Sequence, residues 1–449
     1  MSRATDSPAT GPAPPSATPG SMPTARLRDR LARRLVLGLL GRLRDAELVI
    51  VEGEQRITRG HCDPQRPLRA EVTVHSPRFY RALLRGSLGL AESYMDGWWD
   101  CPDLVALTRV AALNVRSLDR LRTVLAPVLI PIQRWARWTA RNTIGRSRRQ
   151  IAAHYDLGNE LFSLFLDPTM MYSCAIFESD RTSLEQASLA KLERVCAKLD
   201  LSADDHVLEI GTGWGAFAIY AAQHYGSRVT TTTISREQHA YATERVRAAG
   251  LSDRVTVLLE DYRDLTGRYD KLVSIEMIEA VGWRSLRGYF RRCSELLKPD
   301  GAMLLQAITI DDRAHAVEKA SKSFINTYIF PGGCLPSLET ISRSVARDTD
   351  LRQVHLEDIT PHYAETLRHW RERFLAASER LEELGYDLRF RRLWLLYLCY
   401  SEGGFRERRI QDVQIILAKP GFRREPLPAF ASGGSATIDP RSISVSAAA

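Results

Sequence analysis

The sequence predicts an α/β fold, a parallel sheet covered by helices on both faces and preceded by a smaller mixed unit. Strand-like and helix-like stretches alternate from residue 187 to 308, and such alternation implies right-handed crossovers between parallel strands. Within it, the run Val207-Leu208-Glu209-Ile210 breaks into alternate glycines, Gly211, Gly213 and Gly215, the way a strand hands its backbone to a nucleotide-type ligand. Upstream, residues 47 to 75 alternate apolar and polar side chains in two short runs, the patterning of strands in a separate unit.

Residues 1–25 are Pro, Ala, Ser, Thr and Gly with hardly any large apolar side chain, so they bury too little to offset ordering entropy and are expected to be disordered. Residues 425–449 read the same way. Next, Arg26, Arg28, Arg30, Arg33, Arg34, Arg42 and Arg44 punctuate Leu27, Leu31, Leu35, Leu39 and Leu43, which makes a basic amphipathic helix. Two fates are open to it: lying on an anionic membrane surface, or packing its leucines on its own domain. Leu48-Val49-Ile50-Val51 and Ala70-Glu71-Val72-Thr73-Val74 read as strands, and Ser76-Pro77 offers an N-cap hydroxyl and an N1 proline to a following helix. Residues 79–99 carry Leu83, Leu84, Leu88, Tyr94, Met95, Trp98 and Trp99, an aromatic-rich surface that is core or a platform for an acyl chain. Residues 112–149 read as a helical connector whose end, 134–149, is basic with Trp135 and Trp138 interleaved.

From residue 150 the composition becomes that of a compact α/β domain. Helices are expected at 187–199, 216–225, 236–249 and 285–297, and strands at 207–210, 229–233, 255–259, 271–275 and 302–308. Residues 311–380 read as mostly helical insertions, a lid or channel wall, and 394–419 as the stretch that completes the sheet.

With 449 residues, 44% of them hydrophobic, the chain has room for two or three domains. Its seven cysteines are odd in number and lack CxxC or Cys/His ligand spacing, which argues against a disulfide framework and a metal site and fits a reducing cytoplasm. The apolar run at 35–41 is too short to span a bilayer, and no signal-peptide core lies near Met1, so the expected location is cytoplasmic. The net charge of +8 is concentrated in the two basic stretches; an anionic membrane surface suits them, whereas no nucleic-acid recognition motif accompanies them.

The spacing E-x-G-x-G-x-G, with Glu209 two positions before Gly211, is more typical of S-adenosylmethionine binding than of dinucleotide binding. Ligands of open α/β sheets gather at the carboxyl ends of the strands. There, Asp261-Tyr262-Arg263 follow the third strand, with a ring to flank an adenine and a carboxylate to accept from its exocyclic amine. The second strand ends Thr231-Thr232-Thr233-Ile234-Ser235 without an acid for ribose hydroxyls; Gln238 is the expected substitute, with Thr233 and Ser235 beside it.

Eight ordered stretches carry a resemblance: HYDLGNELFSLFLDPTMMYSCAIFE (154–178), VLEIGTGWG (207–215), TISREQ (233–238), SIEMIEAVG (274–282), LLQAITI (304–310), YIFPGGCLPS (328–337), PHYAETLRHW (361–370) and GGFR (403–406). The chain resembles the cyclopropane-fatty-acyl-phospholipid synthases, a family that includes the mycolic acid cyclopropane synthases. The resemblance implies a Rossmann-like, seven-stranded class I methyltransferase sheet with helical insertions over 150–424, preceded by a smaller α+β domain at 26–149 that resembles a lipid-docking domain. It also implies peripheral attachment to the inner face of the cell membrane, with a homodimer as an open alternative. The implied reaction moves a methyl from S-adenosylmethionine to a cis double bond of a phospholipid acyl chain, giving a carbocation that loses a proton and closes to a cyclopropane. A branch of the family uses the same first step to leave a methylene group, the precursor of a mid-chain methyl branch, and that is the alternative product. A methyltransferase for a small soluble acceptor is the competing class, and a non-catalytic lipid-binding protein another.

An alkene is a poor nucleophile, so the site must hold it dry against the methyl and stabilise cationic charge with aromatic faces and a fixed anion. In the resembling family that anion is a bound bicarbonate acting as base. Carried over by motif, its holders are Cys174, Glu279, Ile308 through its backbone, and Tyr363. Where many members read LLHTI this chain reads LLQAI, so Gln306 stands at the histidine position and donates a hydrogen bond without carrying a proton. Tyr172 and Ser173 are expected in the cofactor shell and His154-Tyr155-Asp156 at the entrance. Ser401 replaces the family's late cysteine, with Cys399 two residues away.

Overall fold

The computed structural model describes residues 26–115, 158–320 and 322–423. The expected disordered ends, the basic stretch at 134–149 and the His154-Tyr155-Asp156 turn lie outside the described residues.

The smaller unit is a four-stranded sheet of β1 (Ala46–Glu52), β2 (Gln55–His61), β3 (Arg69–Val74) and β4 (Trp99–Asp100), in the order β2-β1-β3-β4. The sequence pattern does not reveal β2, because Ile57 is its one buried large apolar side chain and so no alternation announces it; antiparallel pairing with β1 recruits it. The aromatic stretch is core. Phe79, Tyr80, Tyr94 and Trp99 are buried, with ring centroids 4.8 Å apart for Tyr94–Trp99 and 5.9 Å for Phe79–Trp99. The helix expected to start at Ser76-Pro77 begins at Phe79, with Arg78 at its N-cap position, since Pro77 lies in the turn ahead of it.

The basic helix Leu27–Leu40 forms, yet its leucine stripe is not the packed face. Ala32, Val36 and Leu37 are buried, whereas Leu27, Leu31 and Leu35 are 73%, 59% and 46% exposed. The anchor that sets this rotation is Arg33, whose Nε lies 2.9 Å from Glu52 Oε1 and whose Nη2 lies 2.6 Å from Oε2, while Tyr80 donates to the same carboxylate at 2.6 Å. A half-buried ion pair with a third hydrogen bond outweighs leucine burial, because breaking it strands a desolvated carboxylate.

The larger unit holds seven strands in the order β10-β11-β9-β8-β5-β6-β7: β5 (His206–Ile210), β6 (Arg228–Thr232), β7 (Val255–Leu258), β8 (Tyr269–Ile275), β9 (Leu297–Ile310), β10 (Arg352–Asp358) and β11 (Ile410–Ala418). Strands β5 to β9 pair in parallel, but β11 is antiparallel to both β9 and β10, so the sheet is mixed rather than wholly parallel. Residues 394–419 also divide: most of their first half belongs to the helix Leu388–Arg406, and only Ile410–Ala418 is strand. A continuous apolar run such as Leu395 to Cys399 is ambiguous between buried strand and helix, and the Asp387 cap, accepting from Phe390 N at 2.7 Å, resolves it. The insertion expected to be mostly helical contributes the edge strand β10, whose Val354 and Leu356 stay exposed. Successive residues of β5 feed opposite cores, Leu208 and Ile210 one face, Val207 the other.

The two units share one core, and the helix Leu388–Arg406 is the seat of the smaller one. Arg392 donates to the carbonyls of Tyr94 (2.5 Å) and Trp99 (2.8 Å) and to Asp100 (2.7 Å), while Thr108 donates to the Cys399 carbonyl at 2.8 Å. No helix among the described residues is long and apolar enough to cross a membrane. A Cβ on Gly403 would lie 2.3 Å from Thr108 Oγ1 and 3.0 Å from Arg109 N. Gly403→Ala is therefore expected to destabilise the chain by about 1–3 kcal/mol through overpacking, read as a lower melting temperature; an unchanged transition would contradict this seating.

Candidate active site

Strand β5 delivers the chain into Gly211, Gly213 and Gly215, at φ +103°, +53° and +87°, before the helix Ala216–Tyr225. At Gly211 a side chain is excluded twice, by this backbone conformation and by Met277, 3.2 Å from where a Cβ would stand. The amides of Gly211 and Thr212 each donate to the Thr232 carbonyl at 3.1 Å, tying the turn to β6. Glu209, just ahead of the turn, is buried with Oε2 unpartnered, and burial pushes its carboxyl up to about 8. A desolvated carboxyl beside a glycine turn fits a ligand that brings positive charge and N–H donors, as the sulfonium and amine of S-adenosylmethionine do.

At the end of β6, Thr233 donates to Gln238 Oε1 at 2.8 Å, which orients the amide, and Ser235 caps the next helix by accepting from Gln238 N at 3.3 Å. Beyond β7, the Asp261 carboxylate is closed upon Arg263, at 2.8 Å from Nε, 2.7 Å from Nη2 and 2.9 Å from the backbone N–H. The Tyr262 ring packs edge-on against Tyr289, centroids 5.4 Å apart. Tyr172 and Ser173 lie beside the next cluster: Ser173 Oγ accepts from the fully buried Lys191 at 2.8 Å.

That cluster lies where the turn after β8 meets β9 and β11. Glu276 accepts from three donors: Cys174 N (2.8 Å) and Gln306 Nε2 (2.8 Å) at Oε1, and the Tyr363 hydroxyl (2.5 Å) at Oε2. Gln306 also donates to Asp412 at 2.9 Å, and its carbonyl oxygen accepts from Gln414 at 3.1 Å, which fixes which end of the amide faces the acids. Lys198 in turn donates to Gln414 at 2.6 Å. Cross-strand register makes these meetings, Gln306 opposite Gln414 and Ile308 opposite Asp412. Glu279 accepts from Ile308 N at 2.6 Å, and its backbone carbonyl holds Cys334 N at 3.0 Å, docking the glycine loop at 332–333.

Burial pushes all these carboxyls above the ordinary range, Glu279 to about 8 by burial and by its neighbour Glu276. Burial and the charge of Glu276 raise the Asp412 carboxyl, while the three donors gathered on Glu276 favour its charged form. Around them stand aromatic rings. Tyr172 stacks on Trp370 (5.2 Å) and shares a 2.7 Å hydrogen bond with Tyr397, while Tyr363 stacks on Phe405 (4.3 Å).

The structure thus brings together Cys174, Glu279, Gln306, Ile308 and Tyr363, and places Tyr172 and Ser173 beside them. Three of the donors assigned to bicarbonate end on the Glu276 carboxyl, and Ile308 N ends on Glu279. A further anion would also face the charge of Glu276, so the set does not fit bicarbonate. Sequence reasoning missed Glu276, Asp412, Gln414 and Lys191. The signals were there: an acid three residues before Glu279, a lysine on the inner face of a helix beside Leu192 and Val195, and Asp412 and Gln414 on a strand face whose other residues, Ile410, Ile416 and Ala418, are apolar.

Gly211→Ala would impose about 1–3 kcal/mol of backbone strain on the turn, or roughly 5- to 150-fold in Kd. The expected result is weaker S-adenosylmethionine binding by calorimetry with the melting transition retained; an unchanged affinity would detach the turn from the ligand.

The family model described as mycolic acid cyclopropane synthetase matches residues 143–415. The tuberculostearic acid methyltransferase UfaA1 of Mycobacterium tuberculosis is 40% identical over 412 residues, covering 89% of this chain and 92% of that protein. The cyclopropane-fatty-acyl-phospholipid synthase of Escherichia coli is 39% identical over 358 residues, covering 78% and 88%. Among solved structures, the mycolic acid cyclopropane synthase CmaA1 complexed with SAH and CTAB aligns with a TM-score of 0.56 at 31% identity, over 61% of this chain and 98% of that one. The cyclopropane synthase MmaA2 from Mycobacterium tuberculosis aligns with a TM-score of 0.55 at 32% identity, again over 61% and 98%. The glycine turn, the mixed seven-stranded sheet and these likenesses agree, and the chain belongs to the mycolic acid cyclopropane synthetase family, as an S-adenosylmethionine-dependent C-methyltransferase of fatty acyl groups.

Proposed function

We propose that this chain methylates a cis double bond in the unsaturated acyl chain of a phospholipid and releases it with a methylene group, the precursor of a mid-chain methyl branch. The observation that carries the acyl reading is the aromatic wall of Tyr172, Trp370, Tyr363 and Phe405 packed around the half-buried Glu276 carboxylate at the end of the sheet that bears the glycine turn. S-adenosylmethionine supplies an electrophilic methyl on a sulfonium centre. The turn and the unpartnered Glu209 hold that donor's charged end, ring faces stabilise the cation that forms on the acyl chain, and burial keeps water from quenching it. Support for the methylene product comes from a relative named a methyltransferase, spanning 89% of the chain, together with Gln306 at the histidine position. The cyclopropane is the second reading, supported by the Escherichia coli relative.

The acceptor reaches the enzyme from a bilayer surface. Leu27, Leu31 and Leu35 are exposed on a helix that also carries Arg26, Arg28, Arg30 and Arg34 at its start and along its length, a composition suited to an anionic interface.

Incubation with labelled methyl donor and oleoyl-phospholipid vesicles is expected to place label in the lipid fraction; label confined to soluble products would overturn the acyl assignment. Mass spectrometry of the released fatty acids before and after mild hydrogenation is expected to show uptake of hydrogen by an exocyclic alkene, whereas a product that resists it is the ring. A Leu31→Glu, Leu35→Glu variant is expected to sediment with anionic vesicles at least several-fold less well while binding S-adenosylmethionine normally; equal sedimentation would remove this helix from the membrane contact.

A further inference from the structure

Glu276 is in the left-handed region, at φ +48°. A glycine would sit there freely, whereas a side chain is strained there. Backbone strain of this kind persists only where surrounding contacts enforce it, and at Glu276 those contacts converge on the carboxylate. Its backbone N–H is tied to the Gln306 carbonyl at 2.9 Å, and its carboxylate takes Cys174 N, Gln306 Nε2 and the Tyr363 hydroxyl. The three donors to the carboxylate are among those that the family resemblance assigned to a bicarbonate ion.

We infer that the Glu276 carboxylate is the proton acceptor of the reaction, a base built into the chain where resembling enzymes hold an external anion. The inference rests on the acyl-methylation reading. When the methyl is transferred, the C–S pair stays on sulfur, the alkene π pair forms the new C–C bond, and a cation is left on the neighbouring chain carbon. A hydride then moves from the methylated carbon to that cation. One C–H bond of the new methyl breaks, its electron pair forming the exocyclic double bond and its proton passing to a Glu276 oxygen. Without the hydride shift the same C–H pair closes the ring, so Glu276 serves either product. Glu279 is less suited to the role, since Ile308 N donates to one oxygen of its carboxyl while the other is buried and unpartnered, which favours the neutral acid. Gln306 completes the arrangement: with its carbonyl held by Gln414, its amide donates to Glu276 and Asp412 together and takes up no proton.

The test compares the full-length enzyme with Glu276→Gln and Glu276→Gly in carbon-dioxide-free buffer and in buffer with added bicarbonate, using oleoyl-phospholipid vesicles and labelled donor. Wild type is expected to turn over equally in both. Glu276→Gln should lose about 100-fold or more in kcat, keep its affinity for S-adenosylmethionine by calorimetry, and gain nothing from bicarbonate. Glu276→Gly, which empties the anion position and relieves the strained φ, should be as slow without bicarbonate and recover at least tenfold with it. Wild-type dependence on bicarbonate, a Glu276→Gln variant within fivefold of wild type, or a folded Glu276→Gly variant that bicarbonate does not rescue would each overturn the assignment. Labelled bicarbonate binding, read by carbon NMR, separates this inference from the acyl-methylation reading. Binding to Glu276→Gly but not to wild type upholds the built-in anion even if no label enters lipid, and binding to wild type refutes it.

Discussion

The constraint on which the site depends is the crowding of four carboxyls, Glu209 and Asp412 buried and Glu276 and Glu279 half-buried, near a single region of the sheet beside the buried Lys191. Desolvation raises each of these carboxyls, and hydrogen bonds decide which of them holds a charge most readily. The donors that converge on Glu276 make that choice. The same excess of acids suits a cationic sulfonium donor and a transient carbocation, and it is hostile to a further anion.

This arrangement demands a rigid and dry surround, and the tertiary structure supplies it in layers. Cross-strand register between β9 and β11 lines up Gln306, Gln414 and Asp412, and the Lys198 ammonium closes the far end of that row of side chains. The helix Leu388–Arg406 serves two purposes at once. Its inner face brings Tyr397 to Tyr172 beside the acids, while Arg392 and Gly403 seat the smaller unit, so packing between the two units and the geometry of the site are set by one element. The exposed leucine stripe of the first helix belongs to the same logic. Arg33 is held by the Glu52 carboxylate, which Tyr80 also hydrogen-bonds, and this turns Ala32 and Val36 inward and leaves the leucines facing outward among arginines.

Much of this is legible in the amino-acid sequence alone. The order of strands and helices from 187 to 308, the glycine turn and the stretches that carry the family resemblance follow from apolar periodicity and from residue types with narrow conformational preferences, which are local properties of the chain. Strand β2 is not legible, because its pairing comes from β1 rather than from its own alternation, and β10 and the helix 388–406 are obscured by an exposed edge and by an ambiguous apolar run. The site divides the same way. Motifs point to Cys174, Glu279, Gln306, Ile308 and Tyr363, but they cannot say which donor meets which acceptor. That Cys174 N and the Tyr363 hydroxyl both end on Glu276 depends on segments 102 and 87 residues away meeting it through sheet register and helix packing, and on a left-handed backbone at one glutamate. Local sequence determines conformational preference and residue chemistry; the partner of each buried polar group is decided by long-range packing, because only the folded chain excludes the water that would otherwise satisfy it.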